Sequence, residues 1–305
     1  MNKQNKSLAV VIPVTRGMQS IPTIESAFNQ SGFENVIVVV AGKSTSDLDF
    51  KNFIIDKFKD RTLHVTESKN KKIILPGEAR NDGLRYVFGD KIEAKYLLFV
   101  DDDIILPEKY GKTLAEFLEK NNACAAMGRI NSFPANFWTK TIDYSNFWWL
   151  QMEESVSNRK WLGAGATLTK YEYVKDVFFK EDAAVNEDVI FFNEISKKTS
   201  KHLSVCAETT CKHHHNRKNV AEFIKYQFNN GKRGVLFHKA GVHPVRAILS
   251  FTNNFRVAFS ANRNFLQKNT HIIVGVFLSF LIFEAGIQAG SFMLLLKKIK
   301  NKCAS

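Results

Sequence analysis

Cysteine is scarce in this sequence, which places four of them, Cys124, Cys206, Cys211 and Cys303, among 305 residues. Four are too few for a disulfide scaffold in a chain of this length, so we interpret them as buried free thiols, although Cys206 and Cys211 lie close enough in sequence to pair. Internal repeats and low-complexity linkers are also lacking. Because 45% of the residues are hydrophobic, the chain can form one large α/β domain with an appendage, or two domains.

Nucleic-acid-binding motifs are missing as well, although the chain is strongly basic. Lysine and arginine number 43 against 30 acidic residues, which gives a formal net charge of +13. Such an excess indicates an anionic partner, which can be a nucleic acid, a membrane surface or an anionic substrate. Zinc-finger spacing and the aromatic-basic signature of an RNA-binding sheet are both absent from the sequence, so we expect no nucleic-acid partner.

A cleavable signal peptide is not predicted. The apolar run near the N-terminus, residues 8–14, is short, is broken by Pro13, and lacks a cleavage site of small residues. We interpret it as a first strand and expect the catalytic body to lie in the cytoplasm.

Three consecutive aspartates follow the most clearly buried strand of the sequence. Residues 96–100 read YLLFV, a run typical of a strand buried on both faces, and Asp101, Asp102 and Asp103 come directly after it. Adjacent carboxylates repel one another and are costly at a buried strand end unless a cation neutralises them. Hard oxygen ligands suit Mg²⁺ or Mn²⁺. We therefore predict a metal or ligand site here, at the strand ends where open α/β sheets bind their ligands.

Strand-like runs alternate with helix-like patterns along the first two thirds of the chain. Strands are predicted at 8–14, 36–40, 63–66, 96–100, 123–130 and 203–212, and helices at 21–30, 50–58, 78–88, 107–120 and 186–195. This alternation predicts an α/β fold with a doubly wound, mainly parallel sheet flanked by helices.

The C-terminal region is helical in pattern and increasingly apolar. Residues 272–283 are too short to span a bilayer, whereas 272–296 are long enough but contain Glu284. A charge near the middle of a span costs about 2.5–3.5 kcal/mol on insertion scales. A single span, a helix lying in the membrane plane and a buried helix all remain open. The lysine-rich tail favours anionic lipid, and we predict association with the cytoplasmic face of the membrane.

Three stretches of this sequence together resemble glycosyltransferase family 2, whose members are inverting enzymes with a GT-A fold. They are the first strand with its following helix (LAVVIPVTRG and IPTIESAFNQ), the segment GEARNDGL at 77–84, and NEDVIFF at 186–192. The resemblance extends over roughly residues 8–235. It implies a catalytic domain, which we place at 1–235, and the apolar C-terminal pattern adds a predicted helical, membrane-associated region at 236–305.

The resemblance also implies roles for the polar residues near the strand ends. Asp103 and Asp101 would bind Mn²⁺ or Mg²⁺, and a histidine would complete the metal shell. His214 is favoured, with His213 next, because of the spacing to the downstream KYQFNNGKRG segment. The donor-binding residues that it implies are Pro13, Arg80, Asn81, Asp101 and Asp102.

The acids that open the helix at residue 186 are the predicted catalytic pair. Asp188 would act as the general base on an acceptor hydroxyl, and adjacent Glu187 would raise its pKa or bind the acceptor. Simple acids at a helix N-terminus are the alternative interpretation.

One position departs from the family pattern. Members usually have acids directly after the second strand, where they contact the nucleotide, but this sequence reads Val39-Val40-Ala41-Gly42-Lys43, with no carboxylate before Asp47. Recognition of the base would then depend on backbone groups, on Asp47, or on a different nucleotide.

We therefore predict a metal-dependent inverting glycosyltransferase of the hexosyltransferase type. It would move a sugar from a nucleoside-diphosphate sugar to a hydroxyl of a lipid-linked glycan or cell-envelope polysaccharide. Two alternatives remain: a nucleotidyltransferase acting on sugar phosphates, which would normally show a Gly-rich basic loop after the first strand, and a catalytically degenerate membrane-associated scaffold.

Overall fold

The computed structural model describes residues 7–67, 75–89, 92–181, 186–214, 217, 219–238 and 255–303, with the backbone alone described for 233–238 and 297–303. The chain divides into two compact units. The first comprises residues 1–129 and 153–213, and the second comprises residues 130–152 and 214–305. The predicted boundary after residue 235 falls inside the second unit, so the assignment of catalysis to 1–235 stays a prediction.

A nine-stranded sheet runs through the described chain, with the strand order β3-β2-β1-β4-β8-β6-β9-β5, and β7 pairs with β9. The strands are β1 Ser7–Pro13, β2 Asn35–Gly42, β3 Thr62–Glu67, β4 Tyr96–Val100, β5 Ile104–Ile105, β6 Ala123–Phe133, β7 Val156–Arg159, β8 Ala166–Lys170 and β9 His202–His214.

The α/β class is confirmed, and the sheet is mixed. Strands β3, β2, β1 and β4 pair in parallel, whereas β8 is antiparallel to both β4 and β6. The parallel part comes from near-continuous apolar runs such as β1 and β4, which are buried along their whole length. β8 instead alternates apolar with polar residues, the pattern typical of antiparallel strands, and buried and exposed residues alternate over 208–214 of β9.

Helices connect and cover these strands. They are α1 Ile21–Phe28, α2 Leu48–Lys57, α3 Pro76–Gly89, α4 Tyr110–Lys120, α5 Phe137–Ser145, α6 Tyr171–Val174, α7 Glu187–Thr199, α8 Val220–His238, α9 at 255–261, α10 Arg263–Lys268 and α11 Thr270–Cys303. α3 packs on β1 and β2. A Cβ on Gly83 would come within 2.5 Å of Val11 Cγ1, so the glycine lets α3 approach the sheet closely.

The second unit is built mainly from helices, and α11 packs on α8 and α5. Leu266, Ile272 and Val276 form its buried apolar cluster together with partly buried aromatic side chains. α11 is continuous through Glu284, and its residues Thr270–Leu296 are long and apolar enough to cross a membrane. The core helix of a soluble protein meets the same criterion, so length and composition alone leave the three interpretations of this segment open.

Candidate active site

The three aspartates after β4 diverge, and each has a different partner. The Asp101 backbone N–H donates to Gly165 O at 2.8 Å, which ties the end of β4 to the loop that precedes β8. The side chain of Asp101 is 40% exposed, whereas those of Asp102 and Asp103 are 9% and 11% exposed. Asp101 is therefore the aspartate most open to a ligand.

Asp102 organises the loop that follows β1. Its Oδ2 accepts hydrogen bonds from Thr15 N at 2.6 Å, from Thr15 Oγ1 at 3.1 Å and from Arg16 N at 3.0 Å. Burial raises the pKa of Asp102 above its ordinary value, against the backbone hydrogen bond from Thr15, which lowers it. This carboxylate therefore holds the loop that carries Arg16, and donor binding by Asp102 stays a prediction.

Asp103 lies between two basic side chains. Its Oδ2 is 2.6 Å from Arg16 Nη2 and 3.2 Å from His213 Nε2. His213 is the histidine that contacts Asp103, whereas the ring of His214 lies 5.1 Å from that of Phe133. Successive side chains of a strand point to opposite faces, so β9 turns these two neighbours in opposite directions. The structure therefore favours His213 over the predicted His214 as the partner of Asp103.

Arg80, on α3, joins the strand-end acids to the acids of α7. Its Nη2 lies 2.7 Å from Asp101 Oδ1, and its Nη1 lies 2.8 Å from Glu187 Oε1. Only 4% of Arg80 is exposed. Burial by itself would lower the pKa of Arg80, but attraction to Asp101 and Glu187 outweighs it and raises the pKa. Arg80 therefore remains a buried cation held between two carboxylates.

Glu187 and Asp188 occupy the first turn of α7, which follows Asn186 in a left-handed conformation with φ 63°. Asp188 accepts hydrogen bonds from Val189 N at 2.8 Å and from Ala164 N at 3.3 Å. Desolvation raises the pKa of Asp188 above its ordinary value, against the attraction of Arg80, which lowers it. Desolvation likewise raises the pKa of Glu187. A carboxylate with a raised pKa is suited to accept a proton.

Two glycines line the space between these acids. A Cβ on Gly163 would lie 3.4 Å from Asp188 Oδ2, and a Cβ on Gly165 would lie 3.3 Å from Asp101 Oδ2. Because both glycines lack side chains, neither carboxylate is covered from this loop. The Gly/Ala-rich segment thus brings backbone close to both ends of the acid cluster.

Asn81 and Pro13, both predicted to bind the donor, have structural contacts in the described chain. Asn81 is 1% exposed, its amide donates to Phe179 O at 2.8 Å and to Glu181 Oε1 at 3.0 Å, and its oxygen accepts from Phe179 N at 2.8 Å. Asn81 therefore anchors the segment around Phe179. Pro13 is buried at the end of β1 beside Ala41 of β2. Direct donor contacts for these two residues stay predictions.

Close packing accounts for the missing acid after β2. Gly42 adopts φ 119°, and a Cβ there would lie 2.9 Å from Val14 O, so a larger residue would displace the loop after β1. Asp47, the next carboxylate, accepts from Asp49 N at 3.0 Å and Phe50 N at 3.3 Å as the N-cap of α2. In the described contacts, Asp47 therefore stabilises the N-terminus of α2.

The charge of this cluster fits a divalent cation. It combines five carboxylates, listed here as Asp101, Asp102, Asp103, Glu187 and Asp188, with two guanidinium groups, those of Arg16 and Arg80. Within the described part of the chain, no three His, Cys, Asp or Glu side chains are grouped as a ready metal site. Mg²⁺ and similar ions often take one or two protein ligands and complete their shell with phosphate oxygens and water. Asp103 and His213 have suitable ligand atoms to serve as these one or two protein ligands.

Arg16 is the site residue that sequence reasoning missed. Its signal was positional: it follows β1, as the aspartates follow β4, and the two strands are parallel neighbours. Residues that follow such neighbours reach the same end of the sheet.

Comparison with known proteins assigns this architecture to a class. A family model described as "Glycosyl transferase family 2" matches residues 10–170, more than half of the chain. The chain therefore belongs to glycosyltransferase family 2, and its fold and family make it an enzyme that transfers a sugar from a nucleotide-sugar donor. Among curated protein sequences, none matches the chain.

Solved structures agree on the fold. S. aureus TarS 1-349 is 15% identical with a TM-score of 0.52, over 97% of this chain and 88% of that one. Its complex with UDP is 16% identical with a TM-score of 0.51, over 73% of this chain and 63% of that one. GalNAc-T7 with UDP, GalNAc and Mn²⁺ is 9% identical with a TM-score of 0.51, over 70% of this chain and 45% of that one. Because the chain spans less than two thirds of the UDP-bound TarS structure, this likeness extends to the GT-A fold and not to a whole activity.

Proposed function

We propose that this chain is a metal-dependent inverting glycosyltransferase that uses the acid cluster around Arg80 as its active site. The observation that carries the proposal is the pair of ion pairs made by Arg80, at 2.7 Å to Asp101 and 2.8 Å to Glu187. They bring the strand-end acids, suited to a metal and a diphosphate, next to the helix acids, suited to a base. A donor and an acceptor can then meet between them.

Asp188 acts as the general base in this proposal. It removes the proton from an acceptor hydroxyl while that oxygen forms a bond to the anomeric carbon. The bond from the anomeric carbon to the diphosphate oxygen breaks on the opposite face, so the configuration inverts and a nucleoside diphosphate leaves. The hydrogen bonds from Val189 N and Ala164 N fix the orientation of the Asp188 carboxylate.

Asp103, His213 and Arg16 form the donor side of the site. Asp103 and His213 would hold Mn²⁺ or Mg²⁺. When bound, the metal supplies positive charge that stabilises the leaving diphosphate. Arg16 contributes a second, permanent positive charge at the same carboxylate. The Mn²⁺ and UDP present in the GalNAc-T7 structure, and the UDP bound to TarS, make a UDP-sugar with Mn²⁺ the first combination to test.

The acceptor in this proposal is a lipid-linked glycan or a cell-envelope polysaccharide at the cytoplasmic face of the membrane. Two features support it: the net charge of +13, which favours an anionic surface, and the apolar helix that ends in a lysine-rich segment. The donor sugar is to be identified by measuring which nucleotide sugar the protein cleaves.

The test measures release of nucleoside diphosphate from UDP-, GDP- and dTDP-sugars, with and without Mn²⁺ or Mg²⁺, in the presence of a membrane lipid extract. We expect metal-dependent release from one nucleotide. Asp103→Ala should abolish it by removing a metal ligand, whereas Glu116→Gln, a matched change of an exposed acid on α4, should leave it unchanged. Absence of release together with absence of nucleotide-induced thermal stabilisation across the panel would overturn the proposal.

A further inference from the structure

The helix α11 has a face that packs on α8 and α5 and a face that is exposed. Besides Met293, which lies about 100° to one side, the exposed large apolar side chains of α11 are Val274, Phe277, Leu278, Leu281, Phe292, Leu295 and Leu296. At 3.6 residues per turn these side chains fall within about 60° of one line along the helix. From Val274 to Leu296 this line is about 33 Å long at 1.5 Å per residue. We call it the apolar stripe. It consists of two apolar segments, 274–281 and 292–296, and the turns between them present Ala285 and the partly exposed Gln288.

The opposite face of α11 is locked to α8 through two glycines. A Cβ on Gly231 of α8 would collide with the Phe283 carbonyl oxygen, and a Cβ on Gly286 of α11 would collide with the Phe228 carbonyl oxygen. The two backbones are therefore in direct contact at this crossing. Glycine is the residue that permits such contact.

Buried polar contacts fix the same face to α5 and α8. Ser279 of α11 donates to Ser145 Oγ at 2.8 Å and accepts from the side-chain amide of Gln227, which also donates to Asn146 Oδ1 at 2.6 Å. Ser279 and Gln227 are each 1% exposed. This network holds α11 in one rotational setting, with the apolar stripe turned outward.

The position of the crossing decides between the two membrane arrangements. Phe283 is the middle residue of the apolar segment Thr270–Leu296, so the crossing with α8 lies at the midpoint of any span. Asn229, Asn230 and Lys232 of α8 lie beside Gly231 and are partly exposed. If α11 crossed a bilayer in this arrangement, those polar side chains would lie at the centre of the hydrocarbon, where they are costly.

We infer that α11 does not cross the membrane and instead lies in its plane, with the apolar stripe inserted into one leaflet of an anionic bilayer. The crossing with α8 then stays on the water side, where its polar residues are solvated. The sequence has lysines at 297, 298, 300 and 302, directly after the apolar segment, and a basic run of this kind favours anionic headgroups. This inference concerns the surface of the second unit and does not rest on the proposed transfer reaction.

A thiol-labelling experiment on the full chain tests the topology. Cys124, Cys206 and Cys211 are fully buried, so Cys303, which follows the apolar segment in the sequence, is chosen as the thiol to label with an impermeant maleimide. Ile55→Cys in a Cys303→Ser background marks the side of the catalytic unit, because Ile55 is exposed on α2. Sealed membrane vesicles of the expressing cells are labelled with and without detergent. We expect Cys303 and the marker to react from the same side without detergent.

Reaction of Cys303 only after detergent, in vesicles where the marker reacts freely, would show a span and overturn the inference. Neither outcome requires glycosyl transfer, so failure of this inference and failure of the proposed function are distinguishable.

Binding to vesicles tests the stripe itself. Phe277→Glu with Leu281→Glu should reduce binding to phosphatidylglycerol vesicles at least about tenfold. Phe53→Glu with Ile55→Glu on α2 is the matched control, because these side chains have similar exposure, and it should bind like the unaltered protein. Equal loss in both variants would overturn the stripe as the docking surface. So would a stable dimer of the purified chain that the stripe variant dissociates, because a second copy would then cover the stripe.

Discussion

Two buried polar clusters in this protein differ in how their charge is balanced. The cluster around Arg80 in the first unit combines five carboxylates with two guanidinium groups, whereas the network of Ser145, Gln227 and Ser279 in the second unit is neutral and mutually hydrogen-bonded. Buried polar groups that serve stability are normally satisfied by one another. An excess of carboxylates indicates a site completed by something from outside. By this comparison the cluster around Arg80 is a candidate ligand site, and the network around Gln227 is a structural contact.

The strongest test of this contrast is Asp188→Asn. The variant keeps the shape of the side chain but removes its ability to accept a proton, so kcat should fall about 10²–10⁴-fold. Donor binding, measured by thermal stabilisation with the nucleoside diphosphate, should stay unchanged. Transfer near the unaltered rate would show that Asp188 is not the base.

Arg80 offers the next largest effect, because its loss leaves Asp101 and Glu187 without their shared cation. Arg80→Met should destabilise the protein by about 3–5 kcal/mol, as for other broken buried ion pairs. Arg80→Lys should recover part of this loss, since it keeps the charge without the forked geometry. Urea unfolding of the two variants measures the difference. Equal stability of Arg80→Met and the unaltered protein would contradict the bridging role.

The dependence of kcat/KM on pH tests separately whether Arg80 controls the pKa of Asp188. The base works when deprotonated, so kcat/KM should fall as the pH drops through the pKa of Asp188. Because burial raises that pKa, the fall should occur at higher pH than for an ordinary exposed aspartate. Arg80 lowers the Asp188 pKa, so in Arg80→Lys, where the charge is displaced, the fall should move further toward neutral pH. A profile that stays in place would remove Arg80 from the control of the base.

The neighbouring residues His213 and His214 allow the predicted metal site to be tested. His213→Ala should raise the Mn²⁺ concentration needed for half-maximal activity by at least about tenfold, the size that even outer-shell partners of metal sites show. His214→Ala is the matched control, because its ring lies against Phe133, and we expect a change of less than about twofold. The reverse order of effects would restore His214 as the metal ligand.

The smallest predicted effect concerns the neutral network. Ser279→Ala removes one hydrogen-bond partner of Gln227 and the donor to Ser145, and it should cost about 1–3 kcal/mol of unfolding free energy, which thermal denaturation measures. Release of nucleoside diphosphate per folded molecule should remain unchanged, since the network contains none of the site residues. A specific loss of turnover without loss of stability would mean that the second unit contributes to catalysis.

Much of the fold was predictable because its signals are local. The strand 96–100 was predicted with its observed bounds, and the start of α1 and the acids of α7 were also predicted correctly. The antiparallel part of the sheet was not predicted, since strand order and direction depend on contacts between residues far apart in sequence. The sequence of β8 contained a hint, because apolar and polar residues alternate there.

The candidate site shows the same division between local and tertiary information. Its acids and Arg80 were found from residue type and spacing, because strand ends on an α/β sheet collect ligands and carboxylates attract cations. The ion pair of Arg16 with Asp103 and the anchoring role of Asn81 were not found, since Asp103 and Arg16 are 87 residues apart and Asn81 and Phe179 are 98 apart.

The sequence by itself determined the fold class, the family and the set of acidic residues, because hydrophobic periodicity and residue chemistry are properties of short segments. Only the tertiary structure decided which carboxylate meets which cation, which histidine turns toward Asp103, and which face of α11 is left exposed. Those choices depend on side-chain direction and on packing between distant segments: alternation along β9 separates His213 from His214, and glycine contacts between α8 and α11 set the rotation of the C-terminal helix.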